Sequence, residues 1–258
     1  MNKEEKNSNK CPICGRTAHN ESEYCIFHAG VEEKTEEEFK KALKEYVQEI
    51  KKENSAYNFN KFVFIGFLNV KEDLNITNFK NASFSEATFE GVVNFSGIKF
   101  DGDTYFISTI FKKTTFFTGV TFEGNSIFIK TTFHGDVNFT TTTFNGEADF
   151  KSTNFESFTR FNFLKFNGVA DFREATFKMN TEFKNTSFMS IANFEDAKFN
   201  GHFSKFMNTT FIDNANFFVV KFKGNAGFED ATFKHDANFE EVTFEGDADF
   251  RLKFSLKS

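Results

Sequence analysis

From Phe84 onward, apolar and polar positions alternate in a register that fits neither a helix nor a long strand. Phe recurs at steps of 5 and 6 residues, without a break, as far as Phe199. One step of 7 leads to Phe206, and the 5/6 alternation then resumes to Phe250. A helix repeats every 3.6 residues and a strand every 2, so this period predicts a stack of short segments. Two residues before each Phe stands a small or β-branched residue, as at Ala87, Val93, Ile98, Thr104 and Thr109. Leu164 and Lys205 read as departures from that column. Positions i and i−2 of an extended segment share a face. Each segment is therefore expected to turn its Phe and its small residue inward. Gly146, Gly168, Gly224 and Gly246 fall in six-residue steps, where a corner or bulge at positive φ would absorb the extra residue. The extra residue near Gly201, His202 and Phe203 reads as a bulge that keeps the phase.

The flanks break the rule. Phe59, Phe62, Phe64, Phe67 and Phe79 fall off the ladder, so residues 56–83 are expected to form an irregular first coil. Upstream, Thr35 and Glu38 have the spacing of a capping box. Phe39, Leu43, Tyr46, Val47 and Ile50 then recur at helical spacing. Residues 31–55 thus predict an amphipathic helix, with its stripe covering the open N-terminal end of the stack. At the other end, Leu252, Phe254 and Leu256 alternate with Lys253 and Lys257. That pattern predicts a last edge strand whose lysines discourage further pairing, and a candidate edge for a homodimer.

The stretches Phe144 to Phe150 and Phe166 to Phe172, with Ala231 to Phe233 and Ala237 to Phe239, resemble pentapeptide repeat proteins. That family has a central Leu or Phe with a small residue two positions before it. The resemblance extends from Phe84 to Phe250. It implies an all-β repeat, a right-handed quadrilateral parallel β-helix with the Phe column stacked inside. A strict pentapeptide array closes a coil in four steps of 5. Here two steps of 5 and two of 6 close it, carrying Phe84 to Phe106 and Phe106 to Phe128. The coil is thus about 22 residues long, a period within the range of stacked repeats. Residues 84–250 then hold about seven and a half coils, or roughly 36 Å of rod at strand spacing.

The composition agrees with a structural use of Phe. The chain has 258 residues, 44 of them Phe, with no Trp and 4 Tyr. Such an apolar load excludes a disordered chain, and a single Pro excludes Pro-rich and collagen-like classes. No run reaches the ~18 apolar residues of a membrane span. The polar start, Met1 to Lys10, has no signal-peptide core, so a cytoplasmic location is expected.

All three cysteines lie within residues 1–30. Cys11, Cys14, Cys25 and His28 read as C-x2-C, ten residues, then C-x2-H. Two short knuckles supplying four soft or borderline donors predict a closed, structural zinc site. Gly15 suits the turn after the first knuckle. His19 is a competing fourth ligand, and a disulfide with one free thiol is the bland alternative in an oxidising setting.

Enzyme signatures are absent. There is no phosphate loop, no nucleophile elbow and no helical metal-protease motif, so a non-enzymatic protein is expected. His134, His202 and His235 are not spaced by multiples of 22 and read as isolated surface residues. Asp149 and Asp171 stack 22 apart beside Lys151 and Arg173, as a solvated charged face. Tyr105, Ile107, Ile127 and Ile129 occupy outward positions 22 apart. They predict an exposed apolar patch, either a protein contact or a surface covered by residues 56–82.

Three functions fit. The first is a scaffold rod that binds a macromolecular partner, most simply a protein. The second, implied by the family, is a DNA mimic that binds or protects a type II topoisomerase. Residues 55–258 carry 21 Lys and Arg against 25 Asp and Glu, a net of −4. A duplex carries one charge per ~1.7 Å, so the charge speaks against mimicry. The third is a zinc-mediated ribosome or RNA contact by residues 1–30, which the mixed charge there does not favour. No small-molecule substrate and no direct nucleic-acid contact are expected.

Overall fold

The computed structural model describes residues 9–252. From Tyr57 to Asp249 the chain winds as a four-sided parallel β-helix. Each face is a ladder of two- or three-residue strands, nine on the first three faces and eight on the fourth. The first face starts at Tyr57–Asn58 and the second at Val63–Phe64. The third starts at Leu68–Asn69 and the fourth at Asn78–Phe79. Strands pair with their equivalents one coil away, at the interval the Phe ladder predicts through most of the rod. Thr104 pairs with Ser126, and Ser126 with Ala148.

The Phe ladder lines the inside. Phe106, Phe128, Phe150, Phe172 and Phe194 are fully buried. Their rings lie 4.7–4.9 Å apart and within 9° of parallel. That spacing is the strand spacing itself. Rings from opposite faces meet edge-on, as Phe139 and Phe150 do at 5.7 Å and 86°. Parallel offset and edge-to-face contacts are the two favourable aromatic geometries, and a four-sided core uses both at every level.

The 5/6 alternation has a clear physical origin. In each five-residue step the residue two after the Phe has positive φ, as at Glu86, Ser108, Lys130 and Ser152. The turn closes with an N–H of the small residue donating to the Phe carbonyl, for example Ala87 to Phe84 at 2.9 Å. The six-residue step makes a wider corner. Gly146 and its equivalents sit there, but not at positive φ, contrary to the expectation from sequence. Gly146 is required by proximity instead. A Cβ there would lie 2.6 Å from the backbone carbonyl carbon of Gly124 in the coil below.

The seven-residue step is a bulge, as expected. Phe203–Lys205 is a three-residue strand, pairing Thr181 with Ser204 below and Ser204 with Ala226 above. Lys205 is no departure from the inward column, because Ser204 holds that position and is buried.

Residues 57–81 form the first coil, and three of the Phe residues expected off the ladder are on it, while Phe62 takes the small-residue position that Ala87 holds one coil later. Phe59 stacks on Phe84, Phe64 on Phe89 and Phe79 on Phe100, at 4.3–5.0 Å. Only Phe67 is half exposed and points away. The irregularity is an inserted helical turn at Val70–Leu74. It lengthens this coil, so that Tyr57 pairs with Ala82 where the regular interval would reach Phe79. Because this segment is a coil in its own right, it does not fold back over the Tyr105 patch.

The helix α1 spans Glu36–Glu53, with Thr35 as N-cap and Glu38 completing the capping box. Phe39, Leu43, Val47 and Ile50 are buried. Phe39 packs edge-on against Phe64, and Tyr46 against Phe59. The helix thus covers the first coil as its stripe predicted. At the far end the last strand among the described residues is Ala248–Asp249. Leu252 packs on the core without joining a strand. Phe254 and Leu256, the rest of the expected edge, lie outside the described residues.

Candidate metal centre

Cys11, Cys14, Cys25 and His28 converge below the first coil. Their donor atoms all lie within 4.8 Å of one another, and among the described residues no other group of three or more His, Cys, Asp or Glu could hold a metal ion. Cys14 Sγ is 3.5 Å from Cys25 Sγ, and His28 Nδ1 is 3.2 Å from Cys25 Sγ and 3.4 Å from Cys11 Sγ. A tetrahedral ion with bonds of ~2.0–2.3 Å needs donor-to-donor edges of about 3.5–3.8 Å. These three separations thus lie within about 0.3 Å of the tetrahedral edges before any ion is placed. The cysteines are free thiols. His19 is not part of the group, and its Nε2 meets Asn20 and Glu38 instead.

Local backbone explains the convergence. Gly15 adopts φ 71° and its N–H donates to the Cys11 carbonyl at 2.8 Å. Lys10 and Thr17 close the knuckle as an antiparallel bridge. In the second knuckle the N–H groups of His28 and Ala29 both donate to the Cys25 carbonyl at 2.9 Å.

The donor chemistry fits a cation. The Asn60 carbonyl can only accept, so His28 Nε2 carries the proton and donates to it at 3.2 Å. Nδ1 is thereby left as the lone-pair donor, aimed at the sulfurs. A ligating His held by such an outer partner is the usual arrangement. Burial lowers the His28 pKa, which keeps the ring neutral as ligation demands. Burial also pushes the Cys25 thiol up to about 12. At neutral pH that sulfur ionises only against a cation. For Cys11 burial works the same way, yet backbone N–H groups led by that of Cys25 bring the net shift downward. Four protein donors leave no position for substrate, so the arrangement is that of a structural site. Cys14 is exposed, beside a cleft of about 250 Å³ that Arg16, Tyr46 and Lys61 also line.

Of the predicted surface residues, the Tyr105 stack is partly exposed, whereas Asp171, expected on a solvated charged face, is buried beneath its partner Arg173. Tyr105 pairs with Ile127 in adjacent strands of the first face. Tyr105 is 36% exposed, and Ile107, Ile127 and Ile129 are partly exposed. Asp171 is held by Arg173, and Asp149 lies directly below it in register. Burial, with Asp171 nearby, raises the Asp149 pKa. His134 bonds Glu156 at 2.6 Å, which also accepts from Lys178 at 2.7 Å. One residue carries no signal in the sequence. Lys34 is 7% exposed, and its ammonium donates to the carbonyls of Ile26 and Val63. Burial lowers its pKa to about 7, opposed chiefly by Cys25.

The fold defines the class, a four-sided parallel β-solenoid with a capped N-terminal end. Within it, residues 84–132 and 164–204 match the family described as pentapeptide repeats, in nine copies. In those stretches, about a third of the chain, the coils are similar to pentapeptide repeats. No curated protein and no solved structure is a significant match. No helix among the described residues is long and apolar enough to cross a membrane.

Proposed function

We propose that this protein is a non-enzymatic, cytoplasmic interaction rod, stapled at its N-terminal end by a structural zinc ion, that docks a protein partner on its first face. The observation that carries the reading is the apolar stack of Tyr105, Ile107, Ile127 and Ile129. It lies on a face whose other outward strand residues are Asn58, Ser83, Asp149, Asp171, Asn193, Asn216 and Asn238. Contiguous apolar surface of this kind marks contacts. Zinc is favoured by a three-sulfur, one-nitrogen tetrahedron.

The test is affinity capture from host lysate with and without nuclease. The expected result is a protein retained after nuclease and released when Tyr105 and Ile129 are both changed to Lys. A catch that survives that change overturns the patch as the docking site. Retention of a type II topoisomerase would favour the DNA-mimic reading over the charge argument. A catch lost with nuclease would favour a ribosome or RNA contact by residues 1–30. Self-association through the last coil, at Leu252, Phe254 and Leu256, is a separate proposal. A light-scattering mass near the 29.7 kDa monomer would remove it.

A further inference from the structure

The metal-ligand loop is not a module beside the solenoid. It is the layer beneath the first coil. Val63 N–H donates to the Phe27 carbonyl at 2.8 Å, just as Thr88 N–H one coil later donates to the Phe62 carbonyl at 2.8 Å. The Phe27 ring stacks on Phe62 at 4.6 Å and 6°, which is the geometry of the inner columns. Phe27 lies between the ligands Cys25 and His28.

Two further struts leave the ligand loop. His28 Nε2 reaches the Asn60 carbonyl, and the Asn60 side-chain oxygen accepts from the Ser83 hydroxyl and the Ser85 N–H. That line runs from a ligand into the second coil. The Lys34 ammonium ties Ile26, in the ligand loop, to Val63, in the first coil, and sits 4.5 Å over the Phe39 ring of α1. Thr35, the next residue, is the cap of α1. Arg16 adds a contact, 4.7 Å over the Tyr46 ring and 3.5 Å from Glu49.

We propose that metal occupancy at Cys11, Cys14, Cys25 and His28 is coupled to closure of the solenoid's N-terminal end. The bound ion holds residues 25–34 as the template on which the first coil and α1 are laid. Three thiols and an imidazole facing one another give the loop little cohesion of their own, because a thiol is a weak hydrogen-bond donor and acceptor. Without the ion, the template loses its shape, and the floor under Phe59, Phe62 and Phe64 goes with it. Contacts in a solenoid run only between neighbours, so the effect stops where coils have intact neighbours on both sides. Coupling of this kind is reciprocal: loosening the cap weakens metal binding by the same factor.

The test is hydrogen exchange by mass spectrometry on the full chain, zinc-loaded and then chelated. The expected result is at least a tenfold loss of protection over residues 25–64, α1 included, with residues 106–222 unchanged. Zinc affinity is then measured by competition with a chromophoric chelator for Lys34→Met and Leu43→Ala, neither of which is a ligand. Both should weaken zinc binding, by roughly 5- to 150-fold. Leu43→Ala serves if Lys34→Met does not fold. The proposal is overturned if chelation loosens only residues 9–30, if it loosens every coil, if neither variant alters zinc affinity, or if the chain retains no zinc.

Discussion

The central coils and the N-terminal cap are both built on Phe, and they hold together in different ways. Between Phe106 and Phe194 each ring meets its equivalents above and below at one spacing and one angle. In the cap, Phe27, Phe39, Tyr46 and Phe62 meet at 43°, 44° and 75° as well as in parallel. Polar struts from His28, Lys34 and Asn60 bind these rings together. A coil in the middle has two identical neighbours and needs only shape. The terminal coil has one neighbour, so its other side must be made from different chemistry. The repeat supplies stability by repetition, and the cap supplies it by a helix, buried hydrogen bonds and a cluster of donors able to hold a metal ion.

Removing one ring from each region tests the contrast most severely. Phe150→Ala opens a cavity between fully buried rings and should destabilise by about 3–5 kcal/mol. Added zinc should not restore it, because Phe150 is far along the rod from the ligands. Phe62→Ala should cost a similar amount of packing, yet excess zinc should recover part of it by mass action on the folded cap. Urea unfolding with and without zinc separates the two. Equal zinc response in both variants would erase the distinction.

A single added methyl gives the next effect. Gly146→Ala would place a Cβ 2.6 Å from the Gly124 backbone, while a Cβ at Gly227 meets nothing within 4 Å. Overpacking of this kind typically costs about 1–3 kcal/mol, and an unopposed surface change stays within about 0.5 kcal/mol. Gly146→Ala should therefore lower the unfolding midpoint and Gly227→Ala should not. If both are neutral, the coils breathe more than their spacing implies.

These glycines also show where the sequence was legible and where it was not. The period, the inward Phe and the length of the coil could be read directly, because burial selects the same residue type at every turn. The cause of the glycine could not, since close approach and positive φ select the same residue. Positive φ actually falls on Glu86, Lys130 and even Phe163 and Val219, which carry no turn signature. The first coil departs from the sequence reading because Val70–Leu74 puts Phe59 and Phe64 out of phase in sequence while leaving them in phase in space, and because Phe79 reaches its partner Phe100 one residue short of the regular interval. The four donors of the candidate metal centre were visible from spacing. Lys34 was not, because a lysine in a Lys- and Glu-rich stretch reads as solvated, and only the fold places two carbonyls around it.

A charge column on the second face offers a smaller contrast with the cap. Lys178 and then His134 hold the Glu156 carboxyl down to about 2, against an ordinary 4.5. A carboxylate depressed in the folded state adds stability that is present above its unfolded value and lost as pH falls through its folded one. Glu156→Gln should therefore flatten the stability profile between about pH 4.5 and pH 2 and leave its shape above pH 5 unchanged. Urea titrations across that range check it. An unchanged acid limb would mean that the ion pairs at this column are screened by solvent, as most surface pairs are.

The finest probe lies inside the rod, where hydroxyls replace methyls in the small column. Thr153 donates to the Phe128 carbonyl at 2.7 Å, and Thr109 does the same to Phe84. Ser126 is fully buried and its Oγ has no partner. Its neighbour above in the same column is Ala148. A buried hydroxyl without a partner carries a desolvation penalty, whereas a bonded one contributes about 1 kcal/mol net. Ser126→Ala should thus raise stability by a few tenths to about 1 kcal/mol, and Thr153→Ala should lower it. Opposite signs from these two deletions, one in a strand and one at a five-residue turn, would show that the strand positions of the column are read by size and the turn positions by hydrogen bonding as well. Equal losses would mean that Ser126 finds an acceptor in solution.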